Sequence, residues 1–138
     1  MSRRYLLDAG PWFAFLSAAD KHHAWAVEQF RRVTDFASCE PVLTEVCHRL
    51  AYYGLKQDLA LQCVERGAVR LEFAFQDYLP AGRHYVLKYA DQKIDLADAC
   101  LCAMAEDVPQ SQVVTLDRLF ERIRFPDRSA LDAALPPF

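Results

Sequence analysis

Apolar residues fall along this chain in short solid runs separated by stretches where they recur every three or four positions, the pattern of buried strands alternating with amphipathic helices. Tyr5-Leu6-Leu7, ended by Asp8 and followed by Gly10-Pro11, predicts a buried strand and a turn, with Pro11 suited to the first turn of a helix. Helical spacing then runs over residues 12–18 and 22–33, with Asp20 as the expected cap of the second helix. Residues 36–39 read as a second strand. Pro41 opens a helix to about Tyr53 that Gly54 closes, and residues 57–66 form another that Gly67 closes, a helical hairpin. Residues 69–75 alternate as a strand, residues 76–90 carry helical spacing with Pro80 near the start, and Asp95 can cap a helix over residues 96–106. A short strand over residues 113–115 leads to Asp117 and a last helical turn; residues 124–138, rich in proline, give no clear signal.

Strands separated by helices or helix pairs imply a mostly parallel sheet of four to five strands between helical layers, a three-layer α/β/α fold. Ligands of such sheets bind beyond the carboxyl ends of the strands. Asp8 and Asp117 directly follow predicted strands, which places them at that edge. Glu45 lies in the apolar run Val42-Leu43-Thr44-Glu45-Val46, and Asp98 in Ile94-Asp95-Leu96-Ala97-Asp98-Ala99. Four carboxylates at the borders of apolar segments are tolerated if they gather at one mouth of the fold. A cluster of oxygen ligands suits a hard divalent cation, Mg²⁺ or Mn²⁺. Metal-assisted phosphodiester hydrolysis is the chemistry this predicts.

The 138 residues suit one domain spanning 1–138, and a composition of 53% hydrophobic and 25% charged residues suits a soluble globular chain. No charge-poor run approaches the ~20 residues of a membrane helix, and Asp8 and Pro11 interrupt the N-terminal apolar run too early for a secretory signal. Five cysteines, without C-x-x-C spacing, point to a reducing compartment, the cytoplasm. Cys100 and Cys102 read as small core residues. A net charge of −3 counts against a protein that coats nucleic acid by bulk charge. It leaves room for a nuclease, since an acidic metal pocket makes the sum more negative while local arginines still meet phosphates.

Leu6-Leu7-Asp8-Ala9-Gly10-Pro11-Trp12-Phe13-Ala14-Phe15-Leu16 resembles the opening of PIN-domain proteins, with an apolar strand, an aspartate, a small residue, Gly-Pro and an apolar helix. Thr44-Glu45-Val46-Cys47-His48-Arg49-Leu50 is similar to the family's helix with a single acid. Asp95-Leu96-Ala97-Asp98-Ala99-Cys100-Leu101-Cys102-Ala103-Met104-Ala105 resembles its third motif, and Val113-Val114-Thr115-Leu116-Asp117-Arg118-Leu119-Phe120 its fourth. The resemblance implies an endoribonuclease in which Asp8, Glu45, Asp98 and Asp117 hold one or two Mg²⁺ or Mn²⁺ ions. It also implies a VapC-type toxin held by an antitoxin protein. Ala9 departs from the commonest pattern, in which a hydroxyl residue follows the first aspartate.

Around this set, Thr115 is placed to hydrogen-bond a neighbouring carboxylate, Asp95 to cap the helix of Asp98, and Arg118, Arg122 and Arg49 to meet phosphate. Each acid also has a plain structural reading: Asp8 a turn residue, Glu45 an exposed helical residue, Asp98 an N-terminal helix charge, Asp117 a cap. His22-His23 and Cys47-His48 are adjacent pairs whose side chains diverge on a helix and so form no site. An RNA substrate and, from the apolar residues 12–16, a homodimer are expected; no membrane is. A nuclease on DNA ends or flaps, an RNA-processing enzyme without an antitoxin, and a non-catalytic nucleic-acid-binding module remain alternatives.

Overall fold

A computed structural model describes residues 3–138. Leu6 and Leu7 of β1 (Arg4–Leu7) are wholly buried because this strand is the middle of a five-stranded sheet. It pairs with β2 (Phe36–Cys39) on one side and β4 (Ser111–Val114) on the other. The edges are β3 (Val69–Phe73), beside β2, and β5 (Asp132–Ala134), beside β4. All four pairings are parallel, in the order β3-β2-β1-β4-β5. Among the described residues six α-helices flank the sheet in a three-layer α/β/α arrangement. They are α1 (Ala9–Leu16), α2 (His23–Arg32), α3 (Glu40–Tyr52), α4 (Asp58–Glu65), α5 (Leu79–Lys88) and α6 (Leu96–Asp107).

The chain steps outward from β1 to β2 to β3 and then jumps back across β1 to β4. Right-handed crossovers therefore assign α1 to α4 to one face and α5 and α6 to the other. The reversal between β1 and β4 opens a crevice at the carboxyl ends of these two strands. Leu7 pairs with Val114, and the Asp8 amide donates to the Val114 carbonyl at 3.0 Å, so the residues just past both strands are held side by side. On the other flank the buried Ser38 hydroxyl donates to the Leu7 carbonyl at 2.8 Å.

Helix α6 is buried from Ala97 to Ala105, and its run of alanine and cysteine lets it approach the sheet and α5 on several sides. Cys100 and Cys102 are core residues, and all five cysteines are free. Trp12, Phe13 and Ala14 of α1 are also buried, Phe15 stacks on the Phe30 ring at 3.9 Å, and Leu16 is half-buried. No helix among the described residues is long and apolar enough to cross a membrane.

Four local expectations differ. Gly10-Pro11 is the first turn of α1 and no separate turn, because Asp8 itself caps that helix. Asp20 accepts from the His22 amide at 2.8 Å in a turn ahead of α2, whose cap position is His22. The third strand stops at Phe73; a 3₁₀ turn over Phe75–Tyr78 follows, and Pro80 in the first turn of α5 delays the helix to Leu79. Finally, the tail contains β5, reached through a turn in which Arg128 is left-handed (φ 74°).

Candidate active site

A crevice of about 530 Å³ at the carboxyl end of the sheet is lined by Asp8, Gly10, Glu45, Arg49, Lys93, Asp95, Asp98, Leu116, Asp117 and Arg118. All four acids singled out in the sequence thus meet in one place, from β1, α3, α6 and the β4 exit. Asp8 is only 7% exposed, yet both its oxygens are satisfied. Oδ1 accepts from the Ala9 amide at 2.8 Å as the cap of α1, and Oδ2 accepts from the Thr115 hydroxyl at 2.6 Å. The same Thr115 oxygen accepts from the Asp117 amide at 2.9 Å, and Asp117 Oδ1 caps the following 3₁₀ turn through the Leu119 amide at 2.9 Å. Asp95 and Asp98 form a reciprocal capping box on α6: Asp95 Oδ1 accepts from the Asp98 amide at 2.8 Å and Asp98 Oδ2 from the Asp95 amide at 3.1 Å. Asp98 is 8% exposed; Glu45 is half-buried and Asp117 exposed.

Helix capping thus fixes the rotamers of three of these carboxylates without any ligand. Their crowding has an electrostatic signature. Burial, reinforced by the charges of Asp117 and Asp95, raises Asp8 to about 6 against the lowering effect of its two hydrogen bonds. Burial also raises Asp98 and Glu45, and Asp8 adds repulsion to both. A cation in the crevice would relieve these strains. Among the described residues no three acids, histidines or cysteines stand close enough to chelate one ion as placed. The donor set nonetheless suits Mg²⁺ or Mn²⁺, for it is all oxygen, and such ions take one or two carboxylates directly and reach the others through water.

Residues 5–126 match the sequence pattern of the PIN domain, from the first strand through the last acid of the crevice. The chain belongs to the PIN-domain family. No curated protein matches the chain. PIN domains are in general nucleases, and this PIN domain carries its acids where the strand-order reversal opens the sheet.

The rim of the PIN-domain crevice is cationic. Arg49 stands one helical turn after Glu45 on α3 with its guanidinium over the Phe13 ring at 5.3 Å, and Arg118 lies over the Phe138 ring at 5.1 Å. Lys93, exposed and left-handed (φ 59°), sits two residues before Asp95 and did not stand out in the sequence. A loop lysine has no periodicity to mark it; its closeness to the capping Asp95 is the only signal. Arg122 is not in the lining, and its guanidinium donates to Gln92 at 3.2 Å. Gly10 closes the floor: a Cβ there would lie 3.0 Å from the Leu116 side chain and press it outward. The crevice continues, through Glu45 and Asp95, into a groove of about 830 Å³ walled by Pro41, Phe73, Phe75 and Leu96.

Proposed function

We propose that this PIN-domain protein is a metal-dependent endoribonuclease that hydrolyses RNA phosphodiester bonds, and that it acts as the VapC-like toxin of a type II toxin–antitoxin pair. The observation that carries the reading is the meeting of Asp8, Glu45, Asp98 and Asp117 in one crevice whose rim bears Arg49, Lys93 and Arg118. The four acids would hold Mg²⁺ or Mn²⁺. The bound ion supplies Lewis acidity, making a water easier to deprotonate and offsetting charge on the phosphate oxygens. Thr115 and the α6 capping box keep Asp8 and Asp98 oriented toward the crevice. The rim cations meet the phosphates on either side of the scissile bond, which brings a polyanion to an acidic site.

The neighbouring groove supports the toxin reading. Its apolar walls and the acids Glu40, Glu45 and Asp95 suit an antitoxin segment with apolar side chains and one basic side chain.

Purified wild type and the Asp8→Asn, Asp98→Asn and Asp117→Asn variants, incubated with cellular RNA and with single-stranded DNA in magnesium, manganese or excess chelator, test the proposal. Discrete RNA fragments are expected from wild type alone and only with metal. Cleavage that persists in chelator, or near-normal turnover in all three variants, would overturn it.

A further inference from the structure

Helix α3 ends in two tyrosines that the fold leaves in water. Tyr52 is 76% exposed and Tyr53 63%, among the largest exposures of any apolar or aromatic side chain here. They are not loosely held. Their rings meet edge to face at 5.0 Å and 83°, the Tyr53 amide donates to the Arg49 carbonyl at 3.1 Å, and Gly54 (φ 74°) turns the chain sharply away. Tyr53 also leans on Phe13, ring centroids 5.4 Å apart, and Arg49, one turn earlier on the same face of α3, holds its guanidinium over that ring at 5.3 Å. The buried Phe13 is therefore a shared support for the exposed aromatic pair and for the cation that lines the acidic crevice.

We propose that Tyr52 and Tyr53 form a stacking platform for unpaired bases of the RNA strand as it leaves the crevice past Arg49. The proposal rests on the nuclease reading for the strand's path and adds to it a preference for single-stranded substrate. Every base has an apolar face, so exposed rings bind unpaired bases without regard to sequence, whereas bases in a duplex are already stacked. The two contacts through Phe13 put Tyr53 within about 11 Å of the Arg49 guanidinium. That is a span of about three nucleotides, taking the ~3.4 Å rise per nucleotide of a DNA strand as the scale. Arg49 supplies the charge that suits the intervening phosphates. A tyrosine loses little side-chain entropy when it binds, and a pair already fixed against each other loses less.

The test is binding of a labelled, unstructured oligoribonucleotide to the Asp98→Asn protein in magnesium, measured by fluorescence anisotropy. It compares that parent with added Tyr52→Ala, Tyr53→Ala and the paired Tyr→Phe substitutions. Each alanine should weaken binding roughly tenfold, phenylalanine should preserve it, and a strand with abasic spacers should bind the parent and the alanine variants alike. Tyr52→Ala alone keeps the Phe13 contact intact, so its loss of affinity cannot come from a disturbed α1. Equal affinity for parent and alanine variants, an equal loss on the abasic strand, or no strand binding by the parent would overturn the platform. So would a change of oligomeric state in light scattering with affinity unchanged, which would make the pair a contact between two copies. Wild type that cleaves nothing while the alanine variants still lose base-dependent binding would defeat the nuclease reading and leave the platform standing.

Discussion

Thr115 holds the crevice together at the level of single atoms. Its hydroxyl donates to Asp8 and its oxygen accepts from the Asp117 amide, so one side chain sets two of the four acids. Thr115→Val keeps the shape and removes both bonds. It should cost about 1–3 kcal/mol in denaturant unfolding, the usual penalty for orphaning buried polar groups. It should also change the pH profile in a defined direction. The Thr115 bond lowers the Asp8 carboxyl, so without it Asp8 climbs above about 6, and the acid limb of cleavage shifts to higher pH. Thr115→Ser, which retains donor and acceptor, should move neither quantity far. A valine variant with wild-type stability and profile would show that the hydroxyl is dispensable.

At the scale of elements, α6 brings a cap and one of the crevice acids together within four residues, Asp95 to Asp98. Asp95→Ala removes the acceptor for the Asp98 amide and should cost about 1 kcal/mol of stability by denaturation. The Asp95 backbone amide still donates to Asp98 Oδ2 in that variant, so the Asp98 rotamer and part of the cleavage rate should survive; complete loss would make Asp95 more than a cap. This helix was readable in the sequence because its signal is local, an aspartate ahead of an apolar run. So were β1 and β4, with Asp8 and Asp117 beyond their ends, and the short strand β2. What could not be read depended on partners far along the chain. Strand β5 is three residues, Asp132, Ala133 and Ala134, with weak intrinsic preference for a strand. It exists because β4 offers a free edge, and no spacing within the tail encodes that. The 3₁₀ turn before α5 depends on a side-chain contact rather than on spacing: the Phe75 ring lies against Gly82, where any Cβ would collide with it. Arg118 and Arg122, similar in sequence, separate for the same reason, one reaching the crevice and the other Gln92.

For the molecule as a whole, the crevice stores electrostatic strain. Asp8 has an ordinary value of 3.8 when unfolded and about 6 when folded, so the native state holds its proton more tightly. Without metal the resulting destabilisation is absent below about pH 4, grows as pH rises, and is complete above about 6. A divalent ion should therefore raise the melting temperature more at about pH 7.5 than at about pH 5, where protons compete for the same oxygens. Calorimetry at the two values, with and without magnesium or manganese, measures this, and an equal rise at both would contradict it. The strand order carries a different implication, for the life of the protein before it is finished. Leu7 must find Val114, and the acids of the crevice run from residue 8 to residue 117. A chain emerging from the ribosome with residue 8 ahead of residue 117 cannot assemble these pairings until Asp117 has been made. Chains that stop short of Asp117 therefore lack an assembled crevice, and the cell's RNA, including the message being read, meets the proposed activity only once that segment has left the ribosome.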